Sequence, residues 1–299
     1  ALHMTSGTVV LSPGVTRSIT PLVVVMTDSG TPDGHDDKAS VTLGDIVNYD
    51  VNNAAAETVT LQLVGYAPSS VASNVRGTTI SGTASLTTTT SPTAKTASAS
   101  VSLVEPQLIL SASRISPAMM TPSDAGDTQT LRLVISPGAS SNAPAFSSVI
   151  DVTLPPGMQY GTMTSSTCMP TPTATASGVS FAFPTLVVGS QTCSIEYTVD
   201  ILSSAVVDTT APVTAQLAYN SAPTGSFRRY TTPAASVSIP LTSPTIAMSV
   251  VSSSLPETAG TAVAIGEVVT FDVVVQVPEG VTQGAVLSVQ FPANVAAGA

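Results

Sequence analysis

Charge is the first thing this chain is short of. Of its 299 residues, 8 are Lys or Arg and 18 are Asp or Glu, so charged side chains make up 9%, against about 25% in an average soluble protein. The net charge of −10 rests on few groups, mostly of one sign, and leaves no basic footprint for nucleic acid. Tryptophan is absent and there are only six Phe and six Tyr, so the aromatic platform usual in carbohydrate-processing clefts is missing. The two histidines are His3 and His35, and no Gly-x-Ser-x-Gly elbow surrounds any serine, which removes the ordinary serine-hydrolase arrangement. Long apolar runs are lacking too. The densest cluster, Pro21 to Met26, is strand-sized, whereas a membrane helix needs roughly 18 continuous apolar residues. The expectation is a chain without catalysis, nucleic-acid binding or membrane insertion.

What replaces charge is Ser and Thr, 84 residues together, with 23 Pro and 20 Gly. Thr and Val favour strands, while the Leu-Glu-Lys-Arg helix formers are scarce. Val, Ile and Leu recur throughout the 43% apolar content, which separates the chain from the low-hydrophobicity signature of disorder. Period-two alternation is clearest from Gly266 to Val277, where Phe271, Val273, Val275 and Val277 share one face and Thr270, Asp272 and Gln276 the other. Thr128 to Ile135 reads alike, with Leu131, Leu133 and Ile135 inward. Each is followed by a predicted second strand ending at an apolar-Pro step, Val149 to Leu154-Pro155 and Ala285 to Phe291-Pro292.

Those pairs belong to a longer repetition. Glu105-Pro106 precedes Ser243-Pro244 by 138 residues, Gly126-Asp127 precedes Gly266-Glu267 by 140, and Leu154-Pro155 precedes Phe291-Pro292 by 137. A second series links the first third to the middle: Thr58 to Leu63 with Thr192 to Tyr197, Thr83 to Leu86 with Thr214 to Leu217, and Ser100 to Leu103 with Ser236 to Ile239. Order and near-constant spacing mark a tandem unit of about 135 to 140 residues. One complete unit spans 105–242. Residues 1–104 match the C-terminal part of a unit and 243–299 the N-terminal part. Both end pieces are expected to lack strands that neighbouring sequence supplies; a permuted boundary is the alternative.

The order of these motifs, Gly126-Asp127, Leu154-Pro155-Pro156-Gly157, Glu57 to Leu63 and Gly77 to Leu86, resembles the tandem immunoglobulin-like repeat of large microbial surface proteins, a conserved domain of unknown function. The resemblance implies all-β, antiparallel sandwiches of about seven strands serving as spacer, stalk or adhesive module outside the cell, and it brings no catalytic residues. Where the family carries Asp before the Leu-Pro step this sequence has Val152-Thr153 and Val289-Gln290, so no side-chain cross-link or metal role is carried over to that place.

Four groups of residues are chemical candidates. Cys168 and Cys193, 25 residues apart, read as a disulfide in a secreted Ser/Thr-rich chain, two buried thiols being the competing reading. Asp28, Asp33, Asp36 and Asp37 lie in an acidic, Gly-containing segment, 28–38, whose carboxylates suit a calcium ion; a solvated loop is the plainer account. Glu57, Glu196 and Asp200 are acid/base candidates that also read as outward strand residues. Thr88, Thr89, Thr90 and Thr93 form a Ser/Thr/Pro tract, as does 165–177, and both read as O-glycosylated or bare polar loop. No Asn-x-Ser/Thr sequon occurs. The expected function is structural, in an extracellular stalk, shaft or surface filament joined to neighbouring copies or repeats of the same protein, or to cell-surface or matrix components. A calcium-dependent adhesin using 28–38 is the alternative.

Overall fold

The computed structural model describes residues 2–28, 36–51, 56–91, 93–118, 121–139, 141, 143–186, 192–224, 227–255 and 262–291. Every regular element among them is a strand, and the pairing is predominantly antiparallel, with two isolated parallel bridges. Two compact units divide the chain, one of 1–106 with 141–144 and 220–229, the other of 107–140, 145–219 and 230–299.

In the first unit the strands are β1 (His3–Leu11), β2 (Val15–Arg17), β3 (Val24–Thr27), β4 (Lys38–Val41), β5 (Ile46–Asn48), β6 (Val59–Tyr66), β7 (Thr79–Leu86) and β8 (Lys95–Ser102). Among the described residues they pair two by two: β1 with β6, β2 with β5, β3 with β4, and β7 with β8. Alternating apolar side chains such as Leu61 and Leu63 therefore stay well exposed.

The second unit holds β9 (Leu108–Ser116), β10 (Thr128–Pro137), β11 (Ala145–Thr153), β12 (Met158–Ser166), β13 (Thr171–Thr175), β14 (Gly178–Leu186), β15 (Cys193–Ile201), β16 (Thr210–Asn220), β17 (Arg229–Thr231), β18 (Ala235–Pro240), β19 (Thr245–Ser253) and β20 (Val269–Gln276). One sheet runs β12-β15-β10-β9. The other runs β13-β14-β11-β16-β17, with β18 also on β16, and β19 pairs with β20 alone. Alternate residues of the two large sheets bury against one another: Leu131, Leu133, Ile135, Ile195 and Tyr197 from one, Ile150, Phe181, Val213, Leu217 and Ile239 from the other. Each such side chain contributes roughly 1.5–3 kcal/mol of hydrophobic burial. At the centre the Phe181 ring lies 5.6 Å from Tyr197 and 6.3 Å from Tyr160. Burial pushes the Tyr197 phenol above its ordinary value, because a phenolate there would lose its water.

Three glycine turns explain the recurring motifs. Pro156 and Gly157 are the central residues of a turn closed by the Met158 amide on the Pro155 carbonyl, and Gly157 has φ +83°, as a type II turn requires. Gly126 (φ +91°) and Gly266 (φ +88°) occupy the same place in the turns Asp124–Asp127 and Ala264–Glu267. In both, the acid at the fourth position accepts from the first residue's amide: Asp127 from Asp124 at 3.2 Å, Glu267 from Ala264 at 2.7 Å. The same turn and the same side-chain cap thus occur at both Gly-acid motifs.

Two sequence expectations are overturned. The tract 165–177 is not loop throughout, because Thr171–Thr175 forms β13 in register with β14, Pro172 opposite Phe181. β13 is an edge strand, where proline forfeits no needed ladder bond and blunts further pairing. Conversely, Ala285 to Phe291 alternates like β11 yet forms no strand. β11 is held between β14 and β16, and 285–291 has no such neighbours among the described residues.

Candidate functional site

The structure joins Cys168 to Cys193 with Cα atoms 5.4 Å apart. Cys193 opens β15 on the buried face, and Cys168 follows β12 against the same core. Thr167 and Ser194 brace the bond through reciprocal contacts, the Thr167 amide to the Ser194 carbonyl and the Ser194 amide to Thr167 Oγ1, both 2.9 Å. The closed loop contains β13 and β14, which belong to the opposite sheet, so the bond staples the crossing between sheets. Closing a loop of this size stabilises by about 3 kcal/mol in the chain-entropy model. Reduction is expected to lower the melting temperature by roughly 10 °C, measured by calorimetry with and without dithiothreitol.

Arg114 is a buried cation that the sequence alone does not single out. Its guanidinium donates to the Thr121 carbonyl and to Ser123 Oγ, each at 2.9 Å, and buried Gln129 donates to the same hydroxyl at 3.1 Å. Ser123 in turn bonds through its backbone to Pro240 and Thr242. Burial lowers the Arg114 value from its ordinary one and nearby Asp127 partly restores it. The signal in the sequence was phase: Arg114 falls in step with Leu108, Leu110 and Ala112 on the inward side of β9, whereas Arg132 falls on the outward side of β10.

The acid/base candidates are each engaged by a different partner. Arg132, directly opposite Glu196 in the ladder, holds it with bonds of 2.6 and 3.0 Å. Asp200 accepts from Thr128 Oγ1 at 2.7 Å, and Glu57 from Asn48 Nδ2 at 2.8 Å. In the acidic segment, Asp33 lies outside the described residues. The Asp36 amide donates to His3 Nδ1 at 3.0 Å, the Asp37 amide donates to the Thr27 carbonyl, and Asp28 follows the end of β3. Among the described residues no three His, Cys, Asp or Glu side chains group as metal ligands. Thr88, Thr89, Thr90 and Thr93 are exposed between β7 and β8, with Thr88 Oγ1 accepting from the Ser91 amide at 3.1 Å.

A cavity of about 170 Å³ in the first unit is lined by Pro68, Asn74, Leu103, Glu105 and Arg228. That is below the roughly 300–1,000 Å³ of ordinary ligand pockets. Arg228 spans it, donating to the Ser69 and Val71 carbonyls at 3.3 and 3.0 Å and lying 3.7 Å from Glu105.

The remaining feature is an edge. Among the described residues, β6 and β20 each have one strand partner, whereas β15 and β10 have two each and pair with each other.

No protein-family model and no curated protein matches the chain. Among solved structures it is similar to the 35 kDa C-terminal fragment of the major pilin GBS80 of Streptococcus agalactiae, at 12% identity and TM-score 0.33, covering 49% of this chain and 58% of that one. It is also similar to the full-length major pilin SpaD of Corynebacterium diphtheriae (11% identity, TM-score 0.34, 77% and 61% covered). A third is the major pilin subunit BcpA of Bacillus cereus (7%, 0.36, 73% and 61%). The chain thus spans about three-fifths of each of these solved chains, the first of them itself a fragment. Likeness of this size bears on neither activity nor partners. The all-β sandwich is present in the second unit, and no helix among the described residues is long and apolar enough to cross a membrane.

Proposed function

We propose that this chain is a structural module of an extracellular stalk, shaft or surface filament, acting without catalysis and built of repeat units at 1–104, 105–242 and 243–299. The observation that carries the reading is the recurrence of one strand pair with its glycine turn and acid cap, Asp124–Asp127 before β10 and Ala264–Glu267 before β20. Such repetition is how arrays extend, each unit burying its face against the next. The Cys168–Cys193 bond suits an oxidising compartment, and the exposed Thr88, Thr89, Thr90 and Thr93 are proposed as O-glycosylation sites.

Pulling single molecules tests the mechanical role. The sandwich is expected to give way in one cooperative step whose contour gain grows by about 85 Å when the disulfide is reduced, since 25 released residues extend by roughly 3.4 Å each. Unfolding without a resolvable force step contradicts a mechanical role. Calcium calorimetry separates the adhesin reading: the structural role predicts no heat and no change in melting, while binding heat with a rise in melting temperature favours the adhesin.

A further inference from the structure

We propose that the passage from the sandwich to the β19–β20 hairpin is a stiff joint, closed by segment 279–281, which returns from β20 and clamps the hairpin to the end of the sandwich so that the two move as one body. β19 and β20 pair with each other alone. Their orientation is therefore set by the chain that enters β19 and by the loop that leaves β20. Both are gripped by the same two segments of the sandwich, 123–125 before β10 and 205–209 before β16.

The entering chain is bonded on two sides. On one, Leu241 forms a parallel bridge with Ser123, whose amide donates to the Pro240 carbonyl at 3.1 Å and whose carbonyl accepts from the Thr242 amide at 2.9 Å. On the other, the Leu241 amide donates to the Thr209 carbonyl at 2.9 Å, the Asp208 amide to the Thr242 carbonyl at 3.1 Å, and Ser243 Oγ to Asp208 Oδ1. Leu241 itself is buried. Units joined by a bare linker move relative to one another by default, whereas a connection whose backbone groups are all engaged in this way has little freedom to turn.

The returning loop closes on the same seat. The Ala125 amide donates to the Glu279 carbonyl at 3.3 Å, the Val281 amide to the Ala205 carbonyl at 2.8 Å, and the Val207 amide to the Val281 carbonyl at 3.2 Å, with Val206 and Val281 in a parallel bridge. The fit needs glycine at its centre. Gly280 has φ +118°, and a Cβ there would stand 2.8 Å from the Ala205 carbonyl oxygen and 2.9 Å from Val207 Cγ1, a backbone approach that no other residue allows. Arg114 fastens the receiving side from within the core, because its bonds to the Thr121 carbonyl and to Ser123 Oγ fix the segment on which chain and loop are seated.

The joint deepens the structural-module reading and rests on it for its use: with both connections held, the direction of one repeat sets that of the next, and tension crosses without a slack linker. Its test is residual dipolar couplings measured on the intact chain, on Gly280→Val and, as a control in the same loop, on Gly284→Ala. Gly284 also has a positive φ, +62°, but a Cβ there meets nothing within 4 Å. In the native chain one alignment tensor is expected to fit the amides of β10, β14, β15 and β16 together with those of β19 and β20. In Gly280→Val the hairpin couplings are expected to shrink and to need a tensor of their own, and the exchange protection of the Val207 and Val281 amides to fall at least ~100-fold while the sandwich ladders keep theirs. Gly284→Ala is expected to behave as the native chain. Unchanged melting of the sandwich verifies that Gly280→Val folds, and the native measurement decides on its own if it does not. Separate tensors or near-zero hairpin couplings in the native chain, a single tensor retained in Gly280→Val, or equal loosening in Gly284→Ala would each overturn the joint. Those outcomes leave a stalk of loosely linked sandwiches standing, whereas unfolding without a force step overturns the mechanical role and leaves the joint.

Discussion

Phe181→Ala is expected to remove about 4 kcal/mol from the folding free energy of the sandwich, read as a lower urea midpoint at unchanged slope. Phe181 is fully buried on β14 between the rings of Tyr160 and Tyr197, and the sheets around it are held by the Cys168–Cys193 bond and the β10–β15 ladder. Little collapse into the vacated space is available, so the lost transfer energy and the cavity add, in the range of 3–5 kcal/mol for buried aromatic truncations. Domains of this size have only about 5–15 kcal/mol in all. Phe271→Ala, by contrast, removes a ring that is 38% exposed and packs on Phe291 at 5.4 Å, and costs at most about 2 kcal/mol. The comparison isolates burial, since both residues are strand phenylalanines on an inward face.

Gly157→Val is expected to cost at least ~4 kcal/mol, for two reasons that a control separates. Its φ of +83° lies in the left-handed region, a strain of about 1–2 kcal/mol for an ordinary residue and more for a β-branched one. A Cβ at Gly157 would in addition fall onto the Ala205 backbone, which cannot swing aside as a side chain does. Ala205 is held in place, its amide bonded to the Leu202 carbonyl at 2.9 Å and its carbonyl accepting from Val281 at 2.8 Å, while the Leu202 amide bonds Gly157 itself at 2.8 Å. Gly266 has nearly the same φ, +88°, and a Cβ added there would meet nothing within 4 Å. Gly266→Ala should therefore show the strain alone, about 1 kcal/mol, by the same denaturation measurement.

The strands that face a core were legible because their period is two. Leu131, Leu133 and Ile135 alternate with Thr130 and Arg132 in sequence, and the burial of β10 follows that alternation. Glycines at positive φ were legible as motifs before their geometry was known, since only a turn or a close backbone approach needs them at those places. Alternation says nothing about partners, however. Ala285 to Phe291 has the side chains of a strand and lacks the neighbours that would make it one, whereas Thr171–Thr175 has the composition of a loop and is drawn into register by the exposed edge of β14. Local composition and long-range pairing are separate sources of strand energy, and the second is not local. The Arg114 network escaped for a related reason: its partners Thr121, Ser123 and Gln129 are ordinary polar residues whose convergence depends on how the chain returns between β9 and β10.

Amide hydrogen exchange tests the central claim most directly, that the second unit holds a two-sheet sandwich while β6 and β20, among the described residues, each have one strand partner. In dilute solution the amides of β10, β11, β14, β15 and β16 should exchange only through global opening, while the free-edge amides of β6 and β20 and those of 285–291 exchange orders of magnitude faster. Protection of β6 and β20 equal to that of β15 and β10 in the dilute monomer would contradict the claim.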